Sequence, residues 1–363
     1  MASSKKTVRV TLTLPDGTRK YYSGRTRKEA EGKREKAKLR YAMGFDAESD
    51  VTFGELADVW LDDYRTWNIH KRTLETTEGI FERYLMPDLG DLRMRDIKPM
   101  HIDRMLKHYR HLSQSTQKKI LTYSRKVFDF AIENDIIPKS PAYKKKPIAD
   151  EPEKVTALTD DQCRTLLQAT KGTRVYPFIV VLLFCGLRKG EALGLMWDDI
   201  DFDKRYLKVN RSVVYTVDNR DGEINDSLKT KAARRTIPFS QEVYDVLMAE
   251  KKRSYSKYVF AMRNGKFLSE SSFRRMWDLV SYRSVNGPGV RDGMKTINFS
   301  VHPHQLRHTY CTRLIANGVM PKEAQYLMGH STPEITMAVY TDYLESQQLE
   351  STAAKIRGEG LRL

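Results

Sequence analysis

A proline- and lysine-rich stretch constrains the architecture of this chain more than any other feature. Residues 139–156, KSPAYKKKPIADEPEKVT, contain three prolines and five lysines and have little hydrophobic periodicity. This composition is typical of a linker, because prolines interrupt helices and strands and lysines stay in water. At 363 residues the chain is also long enough for more than one core. We therefore predict separate domains on the two sides of a linker at residues 143–156.

The segment before the linker contains two different patterns. In residues 1–45, VRVTLTL and the TRKYY that follows a PDG turn are typical of two strands, and TRKE is a capping box that opens a helix. In residues 51–142, apolar residues recur at spacings of three and four, as in STQKKILTYSRKVFDFAIEN. These patterns predict a small β-sheet-plus-helix module followed by a compact helical domain.

The segment after the linker, residues 157–363, mixes both kinds of element. VYPFIVVLLFCGL is almost wholly apolar and predicts a buried helix, and helical patterns return after residue 300. RYLKVNRSVVYTV and RRTIPFS are typical of strands, and DNRDGEINDSLKTKAA between them predicts a mobile, basic loop. The chain is thus predicted to be multidomain and mainly α with small β-sheets, ending in one larger α+β domain.

The charge of the chain favours a polyanionic partner. The formal net charge is +16, and residues 1–44 hold 13 Lys and Arg against 4 Asp and Glu, which leaves +9. Double-stranded DNA suits such basic modules, although a solvated charged face is the alternative for each of them. The expected DNA contacts are basic side chains of the first strands and of the last helix before the linker: Arg9, Arg19, Lys20, Lys118, Lys119, Arg125 and Lys126.

The sequence does not favour a membrane or a disulfide-bonded protein. The longest apolar run, FIVVLLFCGL, is shorter than the roughly 18–20 residues of a spanning helix. No hydrophobic block follows the first lysines, so no secretory signal is expected. Cys163, Cys185 and Cys311 lie far apart and form no CxxC pair. We expect a cytoplasmic protein.

Residues 302–340 collect groups that bind or protonate an anion. HPHQLRHTYCTRLIANGVMPKEAQYLMGHSTPEITMAVY holds four of the eight histidines, two arginines and a final tyrosine. His304 and Arg307 are predicted to share a helix face near the helix N-terminus, where an anion is favoured. Each residue alone is more often structural, but the combination favours a site. No carboxylate lies at metal-ligand spacing from these histidines, so neither a metal nor a cofactor is expected.

Arg188, in CGLRKGEALGL, follows an apolar run in which an unpaired cation is costly. Either Glu191, three residues further on, or a phosphate would neutralise its charge. The motif alone leaves both interpretations open.

Four motifs, GLRKGE, LKTKAARRTIP, HQLRHT and GHSTPEITMAVY, occur in this order and together resemble those of the tyrosine recombinases, or phage-type integrases. The resemblance covers the chain from about residue 155 to its end. The two upstream modules fit an arm-type DNA-binding domain and a SAM-like core-binding domain, as in the integrases of conjugative transposons. The resemblance implies an enzyme that cleaves and rejoins DNA through a 3′-phosphotyrosyl intermediate without ATP, and that integrates or excises a mobile element.

The resemblance also implies catalytic roles for individual residues. Tyr340 is the expected nucleophile. Arg188 and Arg307 are expected to bind the non-bridging oxygens of the scissile phosphate. His304 and His330 are expected to hydrogen-bond the phosphate and to move protons.

Further residues of the motifs are expected to support this site. A lysine of the KTK turn would protonate the leaving 5′ oxygen, with Lys229 preferred over Lys231. Glu191 matches a supporting acidic position. His308 is expected beside the site and His302 outside it.

The same resemblance implies partners. Integrases of this kind act as a homo-tetramer on core and arm sites of double-stranded DNA, and an excisionase or a DNA-bending protein is the accessory partner it suggests. The tail TDYLESQQLESTAAKIRGEGLRL would dock on a neighbouring protomer in such an assembly. A frayed terminus is the alternative for this tail.

Three other functions compete with recombination. A type IB topoisomerase resembles this site but relaxes DNA as a monomer. A non-catalytic DNA-binding regulator would not need both arginines, both histidines and the tyrosine. A metal-dependent transposase would need a clustered carboxylate triad. The separate N-terminal module and the C-terminal tail favour recombination.

Overall fold

The computed structural model describes residues 8–14, 19–42, 51–67, 69–151, 155–226, 234–282 and 297–354. The chain forms two compact units, Met1–Glu153 and Lys154–Leu363. The predicted mainly α, multidomain architecture with small β-sheets is confirmed. The finer domain boundaries within the first unit stay predictions.

The first unit begins with a two-stranded antiparallel sheet and a helix, as the sequence predicts. β1 (Val8–Thr13) pairs with β2 (Arg19–Gly24), and α1 (Arg27–Ala42) packs against both strands. A Cβ at Gly24 would lie 2.8 Å from the backbone nitrogen of Ala30. A glycine at this position therefore allows the end of β2 to approach the start of α1 this closely.

The rest of the first unit is mainly helical. Its helices are α2 (Phe53–Thr66), α3 (Lys71–Ile80), α4 (Met86–Leu89), α5 (Pro99–His108) and α6 (Gln114–Glu133). A capping box opens α2, because Thr52 Oγ1 accepts from Glu55 N at 3.2 Å and Glu55 Oε2 accepts from Thr52 N at 2.9 Å. One π-helical turn, Phe81–Leu85, joins α3 to α4.

Part of the proline-rich stretch is bonded to α6. Arg125 Nε donates to the carbonyl oxygen of Ala142 at 3.1 Å, and Arg125 Nη2 donates to that of Lys145. Gln117 Oε1 accepts from the backbone N–H of Ile148 at 2.8 Å. The stretch therefore follows the surface of α6 over residues 142–149 before it continues towards the second unit.

The second unit contains eight helices and five strands among its described residues, with short 3₁₀ turns not counted. Their order is α7 (Asp160–Thr170), α8 (Tyr176–Cys185), α9 (Lys189–Leu193), β3 (Ile200–Asp201), β4 (Tyr206–Val209), β5 (Ser212–Val214), β6 (Glu223–Asn225), β7 (Arg235–Pro238), α10 (Gln241–Arg253), α11 (Glu270–Tyr282), α12 (Pro303–Ala316), α13 (Pro321–Met328) and α14 (Pro333–Ala354). β3, β4 and β7 form one antiparallel sheet, and β5 and β6 form a separate hairpin. The predicted strand RYLKVNRSVVYTV is therefore divided between two sheets.

The sequence DNRDGEINDSLKTKAA was predicted to be a loop, and this prediction was wrong in one part. Residues 223–225 form β6, in which Ile224 lies opposite Val213 of β5. This apolar cross-strand pair stabilises the hairpin. A single isoleucine among acidic residues was too little to predict it from the sequence.

Helix α8 is the centre of the second core. Six consecutive residues, 178–183, are each at most 2% exposed, as their unbroken apolar character predicts. α8 packs against α7, α9, α10 and α12. It ends at Gly186, whose φ is +63° and where a Cβ would lie 2.2 Å from Cδ1 of Tyr310 in α12. This close contact brings the end of α8 beside the middle of α12. No described helix is both long and apolar enough to cross a membrane.

Candidate active site

The left-handed turn at Gly186 places Arg188 at the N-cap of α9. The backbone N–H of Arg188 donates to Glu191 Oε2 at 2.8 Å, and its Nη1 donates to Glu191 Oε1 at 2.7 Å. Its Nη2 donates to the carbonyl oxygen of Gly329 at 2.8 Å. The local Arg188–Glu191 pair that the motif suggested therefore exists. However, 42% of the Arg188 side chain stays exposed, so part of the guanidinium remains accessible to an anion.

Arg307 is the deepest cation of the site and is only 1% exposed. From α12 its Nη1 donates to the carbonyl oxygen of Gly186 at 2.6 Å, and its Nη2 donates to that of Met328. Burial lowers the pKa of Arg307 to about 9; the positive charge of Arg188 acts in the same direction, and Glu191, 3.9 Å away, opposes it. Arg307 is thus held rigidly and is still charged near pH 7.

Glu191 is 3% exposed and lies between arginines. Burial alone would raise the pKa of Glu191, but hydrogen bonds from Arg235 and the charges of Arg235, Arg307 and Arg188 hold it at about 2. Glu191 is therefore a permanent carboxylate in the folded protein.

Arg235 in β7 is a residue of this cluster that sequence reasoning missed. Its Nη1 and Nη2 donate to the two oxygens of Glu191 at 3.1 and 2.8 Å, and its side chain is fully buried. The pattern of RRTIP offered one indication. Arg235 and Ile237 alternate with exposed or half-buried residues and share the buried face of the strand. A charge at an inward position of a strand requires a buried partner.

The C-terminal end of α13 contacts all three arginines through consecutive carbonyl groups. Leu327 O accepts from Arg235 Nε at 2.7 Å, Met328 O accepts from Arg307, and Gly329 O accepts from Arg188 at 2.8 Å. The last carbonyls of a helix lack intrahelical partners and lie at the negative end of its dipole, so guanidinium groups stabilise them. Gly329 ends the helix in the left-handed conformation, with φ +60°.

His330 follows this helix end and joins the cluster. It is 8% exposed, and its Nδ1 lies 2.8 Å from Thr336 Oγ1. Burial lowers the pKa of His330 to about 4, and the charges of Arg307, Arg188 and Arg235 contribute further. The imidazole is therefore neutral at pH 7 in the free protein.

His304 lies in the first turn of α12. The residue is exposed, but partial desolvation of its ring lowers the pKa of His304, and the charges of Arg307, His308 and Arg188 lower it further. His304 is thus close enough to Arg307 and Arg188 to be affected by both charges.

Replacing His330 is expected to change the pH dependence of stability. Because the folded pKa of about 4 lies below the ordinary 6.5, the unfolded chain binds more protons between these values. The free energy of unfolding should therefore fall as the pH falls from 6.5 to 4, by up to about 3 kcal/mol from this residue. Urea unfolding at several pH values should show that the free energy of unfolding depends less steeply on pH in His330→Asn than in the unsubstituted protein. Equal slopes for His330→Asn and the original protein would contradict a depressed pKa.

Tyr340 lies on α14, which packs against α12 and α13. Its partly buried side chain contacts the cluster of Tyr310, Cys311, Ile315, Met328 and Val339. Residues four apart share a helix face. Tyr340 therefore lies one turn beyond Thr336, the residue that contacts His330.

The remaining residues of the predicted site differ in position. Lys229 and Lys231 lie outside the described residues. His302 is exposed, with its Nε2 3.3 Å from Ser300 Oγ. His308 faces a cavity of about 560 Å³ that is also lined by Val339 and Tyr343 of α14.

The predicted DNA contacts of the N-terminal sheet are divided between its faces. Arg9 and Arg19 are exposed, on the same face as Tyr21, and Arg9 lies 5.5 Å from the centroid of the Tyr21 ring. Lys20 lies on the opposite face and is half-buried. The exposed face therefore presents two of the three predicted cations.

Of the predicted DNA contacts on α6, two side chains are exposed and two have partners within the protein. Lys118 and Lys119 are exposed. Arg125 donates to backbone carbonyls of the segment that follows α6. Lys126 Nζ lies 5.4–5.7 Å from the ring centroids of Trp60, Tyr64 and Tyr123, which is a cation–π arrangement.

Comparisons with known proteins place the chain among DNA recombinases. Residues 156–347 match the phage integrase family, and residues 52–109 match the N-terminal SAM-like domain of phage integrases. A tyrosine recombinase XerC-like protein of Caldanaerobacter subterraneus subsp. tengcongensis is 28% identical over 95% of both chains. The transposase from transposon Tn916 of Enterococcus faecalis is 28% identical over 69% of this chain and 64% of its own length.

Solved structures share the fold. The Tn1549 transposon integrase in complex with a circular intermediate DNA has a TM-score of 0.69 at 24% identity, over 82% of this chain and 99% of that chain. A lambda integrase tetramer bound to a Holliday junction has a TM-score of 0.59 at 19% identity, over 92% of both chains. At these identities the likeness is one of fold.

Proposed function

From the premise that this chain belongs to the phage integrase family and is a tyrosine recombinase that cleaves and rejoins DNA, we propose that Tyr340 is its nucleophile. Attack of the Tyr340 hydroxyl on the scissile phosphate forms a 3′-phosphotyrosyl bond and releases a 5′ hydroxyl. The bond energy is kept in the protein–DNA link. A 5′ hydroxyl from another strand then reverses the reaction and rejoins the DNA.

The arginines supply the charge that this reaction needs. A phosphodiester carries one negative charge and gains more in the pentavalent transition state. Arg188, Arg235, Arg307 and the carboxylate of Glu191 together carry two positive charges, since both nearby histidines have lowered pKa values and are neutral at pH 7. Fixed guanidinium donors aimed at phosphate oxygens stabilise such a transition state. Arg188 and Arg307 would bind the non-bridging oxygens.

The histidines are suited to hydrogen bonding and proton transfer because they are neutral. The contact of His330 Nδ1 with Thr336 leaves Nε2 as the ring nitrogen that can meet the phosphate or the tyrosine. His304, in the first turn of α12, would also hydrogen-bond the phosphate. The proton for the leaving 5′ oxygen would come from Lys229, as the family resemblance implies.

One observation carries this proposal most strongly. Arg188, Arg235, Arg307 and His330 come from four separate segments, and hydrogen bonds to three consecutive carbonyls at the end of α13 bring them together. Three arginines around one carboxylate, with Arg235 and Arg307 buried and Arg188 partly exposed, are costly to assemble unless an anion uses them. The test is to trap the covalent complex on nicked suicide DNA and to map the modified peptide. Modification of any residue other than Tyr340 would overturn the assignment.

The family and its relatives also suggest partners. The chain is a recombinase of the conjugative-transposon type, for which integration and excision of a mobile element are the fitting reactions. We propose that it assembles as a homo-tetramer on core sites, since the lambda integrase was solved as a tetramer on a Holliday junction. We also propose that it binds arm sites, that an excisionase or a DNA-bending protein is its accessory partner, and that it acts on DNA in the cytoplasm.

The exposed face of the N-terminal sheet is proposed to contact arm-site phosphates. Arg9→Ala should weaken arm-site binding and reduce the slope of log K against log salt by about 1, because one phosphate contact is lost. Core-site binding should not change. Lys38→Ala is the matched control, since Lys38 is an exposed cation on α1 of the same module. Equal losses for the two variants would mean that only the net charge of the module matters.

A further inference from the structure

The guanidinium of Arg235 is bonded inside the protein through all three of its nitrogens. Both of its Nη atoms donate to Glu191, and its Nε donates to Leu327 O at 2.7 Å. Its side chain is fully buried, so all of these contacts form away from water. The bidentate arrangement fixes the plane of the Glu191 carboxylate as well as its charge.

The contacts of Glu191 continue to Arg188. Oε1 of Glu191 accepts from Nη1 of both Arg188 and Arg235, and Oε2 accepts from the backbone N–H of Arg188 and from Nη2 of Arg235. Arg188 is 42% exposed and has a flexible side chain, whereas Arg235 is buried and rigid. The orientation of Arg188 is therefore set through a carboxylate that Arg235 holds in place.

The contact with α13 extends this effect to the rest of the cluster. Arg235 binds the first of the three carbonyls, Leu327, and Arg307 and Arg188 bind the next two. These carbonyls lie directly before His330. A shift of the helix end would move the acceptors of both other arginines and the histidine together.

We propose that Arg235 is a positioning residue for strand cleavage: its fork to Glu191 and its bond to Leu327 hold Arg188, Arg307 and the end of α13 in the geometry that the phosphate requires. This inference rests on the proposed function, since it assumes that the arginines bind the scissile phosphate. Arg235 itself acts through Glu191 and Leu327 rather than on the phosphate.

The test is single-turnover formation of the covalent complex on nicked suicide DNA. This assay gives two separate quantities. The rate constant describes the molecules that can cleave DNA, and the final amount of covalent complex gives the fraction of molecules that can cleave. Arg235→Met should lower the rate constant about 100-fold, because small displacements of positioning groups cost about this much. The affinity for core DNA should stay within about twofold. Arg235→Lys keeps the charge but loses the two-pronged contact with Glu191. Its rate constant should lie between those of the unsubstituted protein and Arg235→Met. It also serves if the methionine variant does not fold.

The control is Arg211→Met. Arg211 is a mostly buried arginine of the same unit, with 18% of its side chain exposed, and it pairs with the buried Asp199. Its loss should reduce thermal stability and the competent fraction but not the rate constant. The inference is overturned if the rate constant of Arg235→Met is unchanged, or if Arg211→Met lowers it as much. If the original protein forms no covalent complex at all, the proposed function fails instead.

Discussion

Tyr340→Phe should bind core DNA with unchanged affinity and form no covalent protein–DNA complex. The substitution removes one oxygen, the atom that would become the phosphotyrosyl linkage, and phenylalanine has no other nucleophile. Since the ring is partly buried against Tyr310, Met328 and Val339, an isosteric ring keeps that packing. The loss should be at least about 10⁴-fold, as for removal of other enzymatic nucleophiles. Denaturing gels of radiolabelled nicked DNA measure it directly.

Tyr343→Phe is the matched control for this experiment. Tyr343 lies three residues further along α14 and also contacts the cluster around Tyr310 and Met328. Its loss of a hydroxyl should leave the covalent complex at the level of the original protein. A complex that persists in Tyr340→Phe would show that another residue attacks the phosphate, and peptide mapping would identify it.

Much of the fold and part of the site could be predicted because their causes are local. The capping box at Thr52 and Glu55, the apolar run of α8 and the spacing of Arg188 and Glu191 each lie within a few consecutive residues. Pro303 at the start of α12 placed His304 and Arg307 in adjoining turns, as expected. The depth of Arg307 could not be predicted, because it depends on how α12 packs against α8.

The parts that the sequence did not reveal depend on tertiary contacts with backbone atoms. The carbonyls of Leu327, Met328 and Gly329 belong to the backbone, which every residue has, so no sequence motif marks them. Arg235 resembles an ordinary basic residue next to Arg234 until β7 is placed beside α9. Tyr340 had no distinguishing local pattern, and only the family resemblance singled it out.

Arg307→Lys should lower the rate constant of strand cleavage about 10²–10³-fold, the usual loss when one preorganised oxyanion donor is removed. A lysine has one donor nitrogen, so it cannot reproduce the planar fork in which Nη1 and Nη2 donate to Gly186 O and Met328 O. Burial is a second cause of the lower rate constant. It lowers the pKa of Arg307 to about 9, and the same burial acting on a lysine, whose ordinary pKa is about 10.4, would leave part of the amine uncharged near pH 7.

This second cause gives the variant a pH signature. Because lysine is charged below its pKa, the rate deficit of Arg307→Lys relative to the original protein should shrink as the pH is lowered, whereas loss of geometry alone would give a constant deficit. Arg313→Lys is the matched control, since Arg313 lies on the same helix and its ion pair with Asp160 is largely exposed on the carboxylate side. Such a pair contributes little, so this variant should cleave normally. Normal cleavage by Arg307→Lys would instead assign Arg307 to holding α12 against α8, with Arg188 alone on the phosphate.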